Sequence, residues 1–260
     1  RLRTIFMGTP AFAVPCLDRL VSEGHEVLAV VTQPDRPKGR GQKPAPSPVK
    51  EAAAGYGLPV LQPEKIKTAE FLTQVTALAP AVIVVVAFGQ LLSKPLLDLP
   101  PLGCINVHAS LLPKYRGAAP IHWAVMNGET VTGVTTMFMD SGMDTGDMIL
   151  QAEVPIGPAA TMGEVHDELK ALGAEVLART LALLAAGKAP RTPQDSRAAT
   201  YAPLLTRAAE AIDWQRSAAD IHNAVRGLNP WPVAFCRHRD KVLKVWRSEV
   251  VPAAAGGGPP

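Results

Sequence analysis

Between residues 1 and 186, short runs of apolar and β-branched residues alternate with stretches whose apolar positions recur at helical spacing. Thr4–Met7, Val27–Val31, Leu58–Leu61, Ala81–Val86 and Cys104–His108 read as strands. Ala81–Val86 is apolar at every position, which requires cover on both faces and so a central place in a parallel sheet. Gly8-Thr9-Pro10 breaks the first strand, and apolar positions at helical spacing follow from Pro10 to Val21. Ser47 is placed to cap a helix running to Gly55, and Thr68 to cap one running to Leu78. Gly133–Met139 and Met148–Val154 form a late pair of strands, followed by a long helix over Met162–Ala186. The alternation predicts an α/β fold, a Rossmann-like parallel sheet with helices on both faces.

The pattern changes after Gly187. Lys188–Leu205 is polar, contains Pro190, Pro193 and Pro203, and reads as a linker. Ala218–Val225 suggests one more helix, and Phe235 and Val242–Trp246 suggest strands. Three parts follow: residues 1–187, a linker over 188–205, and a second unit over 206–260 whose Ala-, Gly- and Pro-rich end is expected to be flexible.

Hydrophobic residues make up 47% of the chain and charged residues 19%, enough for a sizeable core and unlike a disordered chain. No apolar run approaches the ~18 residues of a membrane span, and the start does not read as a secretory leader. Cys16, Cys104 and Cys236 are odd in number and far apart, which points to a reduced, cytoplasmic protein without a disulfide framework or a metal site. The net charge of +3 says little by itself. Its placement says more. The stretch 33–46 carries Arg36, Lys38, Arg40 and Lys43 against a single acid, Asp35. It is too polar for a core, and its Pro and Gly residues suggest an extended, mobile loop that either contacts phosphates or is simply solvated.

Asn106 and His108 are alternate residues of one strand and share a face at its carboxyl end, where open α/β sheets place their ligands. An amide donor beside an imidazole suits acyl transfer, one stabilising an oxyanion and the other moving protons near neutral pH. The alternative is a strand end that bonds to a turn. Asp140–Asp147 gathers Asp140, Asp144 and Asp147 with two glycines. A calcium loop fails on Gly142 at a ligand position, on the late Gly146, and on Gln151 where a bidentate Glu belongs. Asp144 could instead approach the strand of His108 and fix its tautomer, or the segment could be a solvated turn. Ser110–Pro120 mixes apolar residues, prolines and the cations Lys114 and Arg116, and could wall a flat aromatic ligand. Neither GxGxxG nor a P-loop is present.

Asn106-x-His108, then Ser110-Leu111-Leu112-Pro113 with Gly117, then Asp144, resembles the folate-dependent formyltransferases. Pro34–Gly41, Phe6–Pro10 and Asn229–Ala234 are similar to the branch of that family that acts on an aminoacylated tRNA. The resemblance implies a Rossmann-like catalytic domain, a linker and a C-terminal OB-type β-barrel, of which only part would fit in 206–260. It implies 10-formyltetrahydrofolate as formyl donor, the amino group of methionyl initiator tRNA as acceptor, no metal, no membrane and a monomer. By residue it implies Asn106, His108 and Asp144 as the catalytic set, and Phe88, Gly89, Gln90, Leu91, Leu92, Ser110, Leu111, Leu112 and Pro113 against the folate. Arg36, Lys38, Arg40 and Lys43 would contact the tRNA. The rivals are a sibling enzyme that formylates a small amine, and a non-catalytic RNA-binding protein on the same fold.

Overall fold

The computed structural model describes residues 1–38 and 43–252, so Arg40 and the tail expected to be flexible lie outside the described residues. The chain runs β1 (Arg3–Gly8), α1 (Val14–Ser22), β2 (Glu26–Val31), β3 (Arg36–Lys38), β4 (Lys43–Ala45), α2 (Pro48–Gly55), β5 (Val60–Leu61), α3 (Ala69–Leu78), β6 (Val82–Val86) and α4 (Lys94–Leu97). It continues through β7 (Cys104–His108), β8 (Arg116–Gly117), α5 (Pro120–Met126), β9 (Val131–Phe138), β10 (Met148–Pro155) and α6 (Met162–Ala185). β11 (Tyr201–Ala202), α7 (Arg207–Glu210), α8 (Ala218–Gly227), β12 (Ala234–His238) and β13 (Lys241–Val245) follow.

Seven strands form the main sheet in the order β10-β9-β7-β6-β1-β2-β5. β5, β2, β1, β6 and β7 are parallel, as expected, while β9 lies antiparallel to β7 and β10 antiparallel to β9. β10 runs antiparallel to β9 because the stretch between them holds no helix, and a return without a crossover is antiparallel. All five residues of β6 are buried. One face of the sheet packs Phe6, Val84, Ile105 and Val107 under α1 and α6; the other packs Ile5, Ile83 and Val85 with Phe71, Val75 and Leu96 of α3 and α4. Cys104, Asn106 and His108 belong to this second face by their alternation along β7.

The caps are local chemistry. Ser47 Oγ accepts from the Lys50 amide at 3.0 Å and Thr68 Oγ1 from the Phe71 amide at 3.2 Å. Thr161 and Glu164 cap α6 reciprocally, each side chain accepting from the other's backbone. Among the described residues no helix is long and apolar enough to cross a membrane.

The joining segment and the second unit add detail to the expected organisation. The segment 188–205 joins the two units, as a linker must, but it is bound to the first unit along its course. Thr192 pairs with Met148 on β10, and β11 pairs with β8. Most of its polar side chains face solvent, while Gln194 and Thr200 bond to backbone of the first unit. The second unit, among the described residues, holds α7, α8 and the β12–β13 hairpin, in keeping with room for only part of a barrel. α8 docks on α5 around Met126, Val225, Leu228 and Ala234, and the approach is close at Gly227, where a Cβ would meet the Met126 backbone nitrogen at 2.8 Å.

Cys16 and Cys104 are buried, and burial pushes both thiols up to about 12. Cys236 is partly exposed. Because the thiolate is the nucleophile, maleimide at pH 7.5 is expected to modify Cys236 alone in the native protein, and all three cysteines after denaturation, as counted by mass spectrometry.

Candidate active site

β7 delivers Asn106 and His108 to the carboxyl end of the sheet. His108 is 7% exposed, and its Nε2 lies 2.9 Å from the Tyr115 carbonyl oxygen. A carbonyl only accepts, so Nε2 carries the hydrogen and Nδ1 is the basic nitrogen of the neutral ring. Nδ1 faces Asp144 Oδ2 at 3.7 Å. That distance exceeds a hydrogen bond, so the expected carboxylate–imidazole bond is replaced by another arrangement: the Tyr115 carbonyl fixes the tautomer. Asp144 Oδ2 accepts instead from the Gly117 amide at 2.7 Å. Tyr115 is itself held. Its hydroxyl donates to Glu129 at 2.6 Å, and burial, then that bond, pushes the phenol up to about 12.

The segment 139–147 leaves β9 beside Ile105 and folds back so that Asp144 reaches His108. It lies tightly on β9, since a Cβ on Gly146 would overlap the Phe138 carbonyl. The three carboxylates serve separate purposes. Asp140 closes the turn, accepting from the Gly142 amide and Thr145 Oγ1; Asp147 approaches Arg191 at 3.8 Å; Asp144 faces the site. Asp144 takes a left-handed backbone conformation, φ 54°, which Asp tolerates better than most residues.

Asn106 is half-buried, and its side-chain Oδ1 is buried without a hydrogen-bond partner. An unpaired buried acceptor costs about 1–3 kcal/mol, and such cost concentrates where a ligand's donor is to be met.

The residues expected against folate divide. On the segment after β6, whose Val85 neighbours Asn106, Gly89 and Leu91 are exposed, Leu91 at 59%. Phe88 and Leu92 are buried in the second core, and Gln90 bridges to the Ile66 amide and the Glu64 carbonyl. Thr9 and Gln33 both donate to the Phe88 carbonyl. Ser110 and Leu112 point inward. Ser110 Oγ donates to the Lys114 carbonyl, and the Leu112 amide and carbonyl are held by Thr135 and Gln151. They therefore shape the wall rather than form it, while Leu111 and Pro113 are half-buried. Thr135 and Gln151 are supports that the sequence reading missed.

The basic stretch is not an irregular loop: β3 and β4 pair as an antiparallel hairpin, Arg36 opposite Ala45 and Lys38 opposite Lys43. Arg36 is exposed, with one contact to Gln33 at 3.4 Å. Asp35 does not neutralise the hairpin. It binds Lys50 at 2.8 Å and Gln62 at 2.7 Å, which hold its carboxyl below the usual range. A second basic surface was overlooked. Residues 234–247 hold Arg237, Arg239, Lys241, Lys244 and Arg247, all exposed, against Asp240 alone. The charge run and the two strands were legible in the sequence; the pairing that makes them one hairpin was not.

Family models describe residues 2–181 as formyl transferase and residues 204–260 as formyl transferase, C-terminal domain. The chain is 55% identical over 250 residues to a methionyl-tRNA formyltransferase of Ruminiclostridium cellulolyticum, covering 96% of this chain and 80% of that protein. It is 58% identical over 250 residues to the methionyl-tRNA formyltransferase of Pelotomaculum thermopropionicum, with the same coverage. In fold it resembles an N-formyltransferase from Helicobacter canadensis solved with folinic acid and dTDP-3-aminofucose, with a TM-score of 0.65 at 20% identity, over 87% of this chain and 80% of that one.

Proposed function

We infer that this chain, which belongs to the formyl transferase family, moves a formyl group from a folate donor to the amino group of methionyl-tRNA. In finer terms the donor is 10-formyltetrahydrofolate, the acceptor is the initiator methionyl-tRNA, and the reaction serves translation initiation in the cytoplasm.

The observation that carries the chemistry is the unpartnered Asn106 Oδ1 on the same strand face as His108. An attacking amine brings N–H donors, and Oδ1 is an acceptor that lacks one. The amide nitrogen of Asn106 then stabilises the oxyanion that forms at the formyl carbon, joined by the imidazole once Nδ1 carries the proton taken from the amine. Nδ1 of His108 takes and returns the proton on its way to the leaving nitrogen. Asp144, 3.7 Å away, supplies the countercharge while the ring is cationic. Gly89 and Leu91 offer an exposed face for the folate ring, with Phe88, Gln90 and Leu92 holding it from behind; Leu111 and Pro113 form the facing wall, shaped by the buried Ser110 and Leu112. The β3–β4 hairpin, with Arg36, Lys38, Arg40 and Lys43, and the cations of β12–β13 meet tRNA phosphates.

A formylation assay with 10-formyltetrahydrofolate tests this directly. Methionyl-tRNA and a nucleotide-linked amino sugar compete as acceptors. Product on the tRNA alone is expected. Product on the sugar alone would move the assignment to a small-amine enzyme, and product on neither would remove the activity. In the same assay Leu91→Asp sets a charge against an apolar ring, at a cost of about 1–3 kcal/mol. The KM for the folate donor is expected to rise about tenfold or more, with the KM for tRNA unchanged.

A further inference from the structure

The segment joining the two units holds the Asp144 turn at three points. Thr192 exchanges backbone bonds of 2.8 and 3.0 Å with Met148. Arg191 lies over the Phe138 ring at 3.6 Å and faces Asp147. Gln194 reaches furthest in. Its Nε2 donates to the carbonyls of Asp144 and Gly146, each at 2.8 Å, and its Oε1 accepts from Arg116 Nε and Nη2 at 3.2 and 2.9 Å.

Arg116 is 3% exposed, and its neighbours in sequence are the two backbone groups on which the site depends. The carbonyl of Tyr115 receives His108 Nε2, and the amide of Gly117 binds Asp144 Oδ2. Thr200 and Ala202 pin the same stretch from the joining segment, accepting from the Arg116 amide and from the Ala118 and Ala119 amides. One side chain thus connects the turn that carries Asp144 to the stretch 115–117, whose backbone anchors both Asp144 and His108. It needs a donor aimed at two carbonyls and an acceptor aimed at a guanidinium, on a stem of this length. Glutamine meets all three requirements. Glutamate would meet the guanidinium but set a carboxylate against two carbonyl oxygens.

We propose that Gln194 is a positioning residue for formyl transfer, fixing the Asp144 turn so that the carboxylate stays between the Gly117 amide and His108 Nδ1. The proposal rests on the role given above to Asp144. The joining segment is then part of the active site's scaffold, and the second unit is coupled through it to the catalytic turn.

The test measures single-turnover formylation of methionyl-tRNA by the full chain carrying Gln194→Ala, Gln194→Glu, Asp144→Asn, and Gln194→Ala with Asp144→Asn. A carboxylate displaced by about 1 Å is expected to cost a factor of about 10² in kcat, with KM for tRNA and folate unchanged. Gln194→Glu is expected to lose as much as Gln194→Ala, because it keeps the acceptor for Arg116 and loses the donor. In the Asp144→Asn background the Gln194→Ala change is expected to cost nothing more, since its effect passes through Asp144. Wild-type kcat in Gln194→Ala, an active Gln194→Glu, or multiplicative losses in the double variant would each overturn the proposal. Loss of activity in His108→Ala and Asp144→Asn alongside any of these would leave the assigned chemistry standing. Full activity in Asp144→Asn would overturn both.

Discussion

Replacing His108 by Ala is expected to lower kcat for methionyl-tRNA formylation by about 10²–10⁴, because it removes a buried group at the site whose basic nitrogen is free of protein bonds. Nε2 is committed to the Tyr115 carbonyl, so proton movement has to pass through Nδ1. Asn106→Ala is expected to cost about 10²–10³ through the lost oxyanion donor. The two variants should differ in stability, which separates chemistry from folding. His108 is buried and bonded, so its loss leaves a cavity and an unpaired Tyr115 carbonyl, worth about 1–3 kcal/mol. Asn106 Oδ1 has no partner, so Asn106→Ala relieves an unsatisfied acceptor and should leave Tm unchanged or raised. A folded Asn106→Ala protein with wild-type turnover would defeat the assignment. So would a His108→Ala protein whose lost activity merely tracks its lost stability.

The same contrast explains what the sequence could and could not disclose. β6 was legible because a fully apolar run has one consistent environment, and the caps at Ser47 and Thr68 because their chemistry lies within three residues of the helix they start. Asn106 and His108 were legible as a pair because strand alternation fixes their common face. The contacts that make them a site were not, because each joins distant stretches of chain. β8 and β11 are two residues each, too short for any periodicity, yet Tyr115 just before β8 and Gly117 within it supply the backbone that holds His108 and Asp144. Pro37 and Pro44 face each other in the β3–β4 hairpin. Neither has an N–H for the ladder, so the composition signalled a loop where an edge hairpin forms. The joining segment is largely solvated, and the few side chains in it that bond to backbone, Gln194 and Thr200, were not distinguishable in the sequence from those that bond to water. Gln194 is the clearest instance. In sequence it is a polar residue after a proline; in the fold its amide is matched to four partners.

Methionyl-tRNA binding is expected to weaken steeply with salt, and to do so less in a protein carrying Arg36→Ala and Lys43→Ala. The hairpin β3–β4 brings cations to the loop end of the sheet, and the one acid beside it is already bound by Lys50 and Gln62. Cations carried on such a hairpin neutralise phosphates and release counterions, at ~0.7–0.9 log units of affinity per log unit of salt for each phosphate. Removing two such contacts should flatten the slope by about 1.4–1.8. If the two lines converge near 1 M salt, the difference at 0.1 M is about 25–60-fold in affinity. The turnover of bound tRNA should be unchanged, since neither residue belongs to the Asn106–His108–Asp144 set. The cations of β12–β13 provide an internal control: Lys241→Ala with Lys244→Ala should flatten the slope by a similar amount, and the two effects should add because the hairpins are separate. Binding measured by fluorescence anisotropy from 0.05 to 0.5 M salt decides the matter. Coincident lines for wild type and Arg36→Ala/Lys43→Ala would make the first hairpin a solvated connection, and would leave the second hairpin as the sole electrostatic contact with the acceptor.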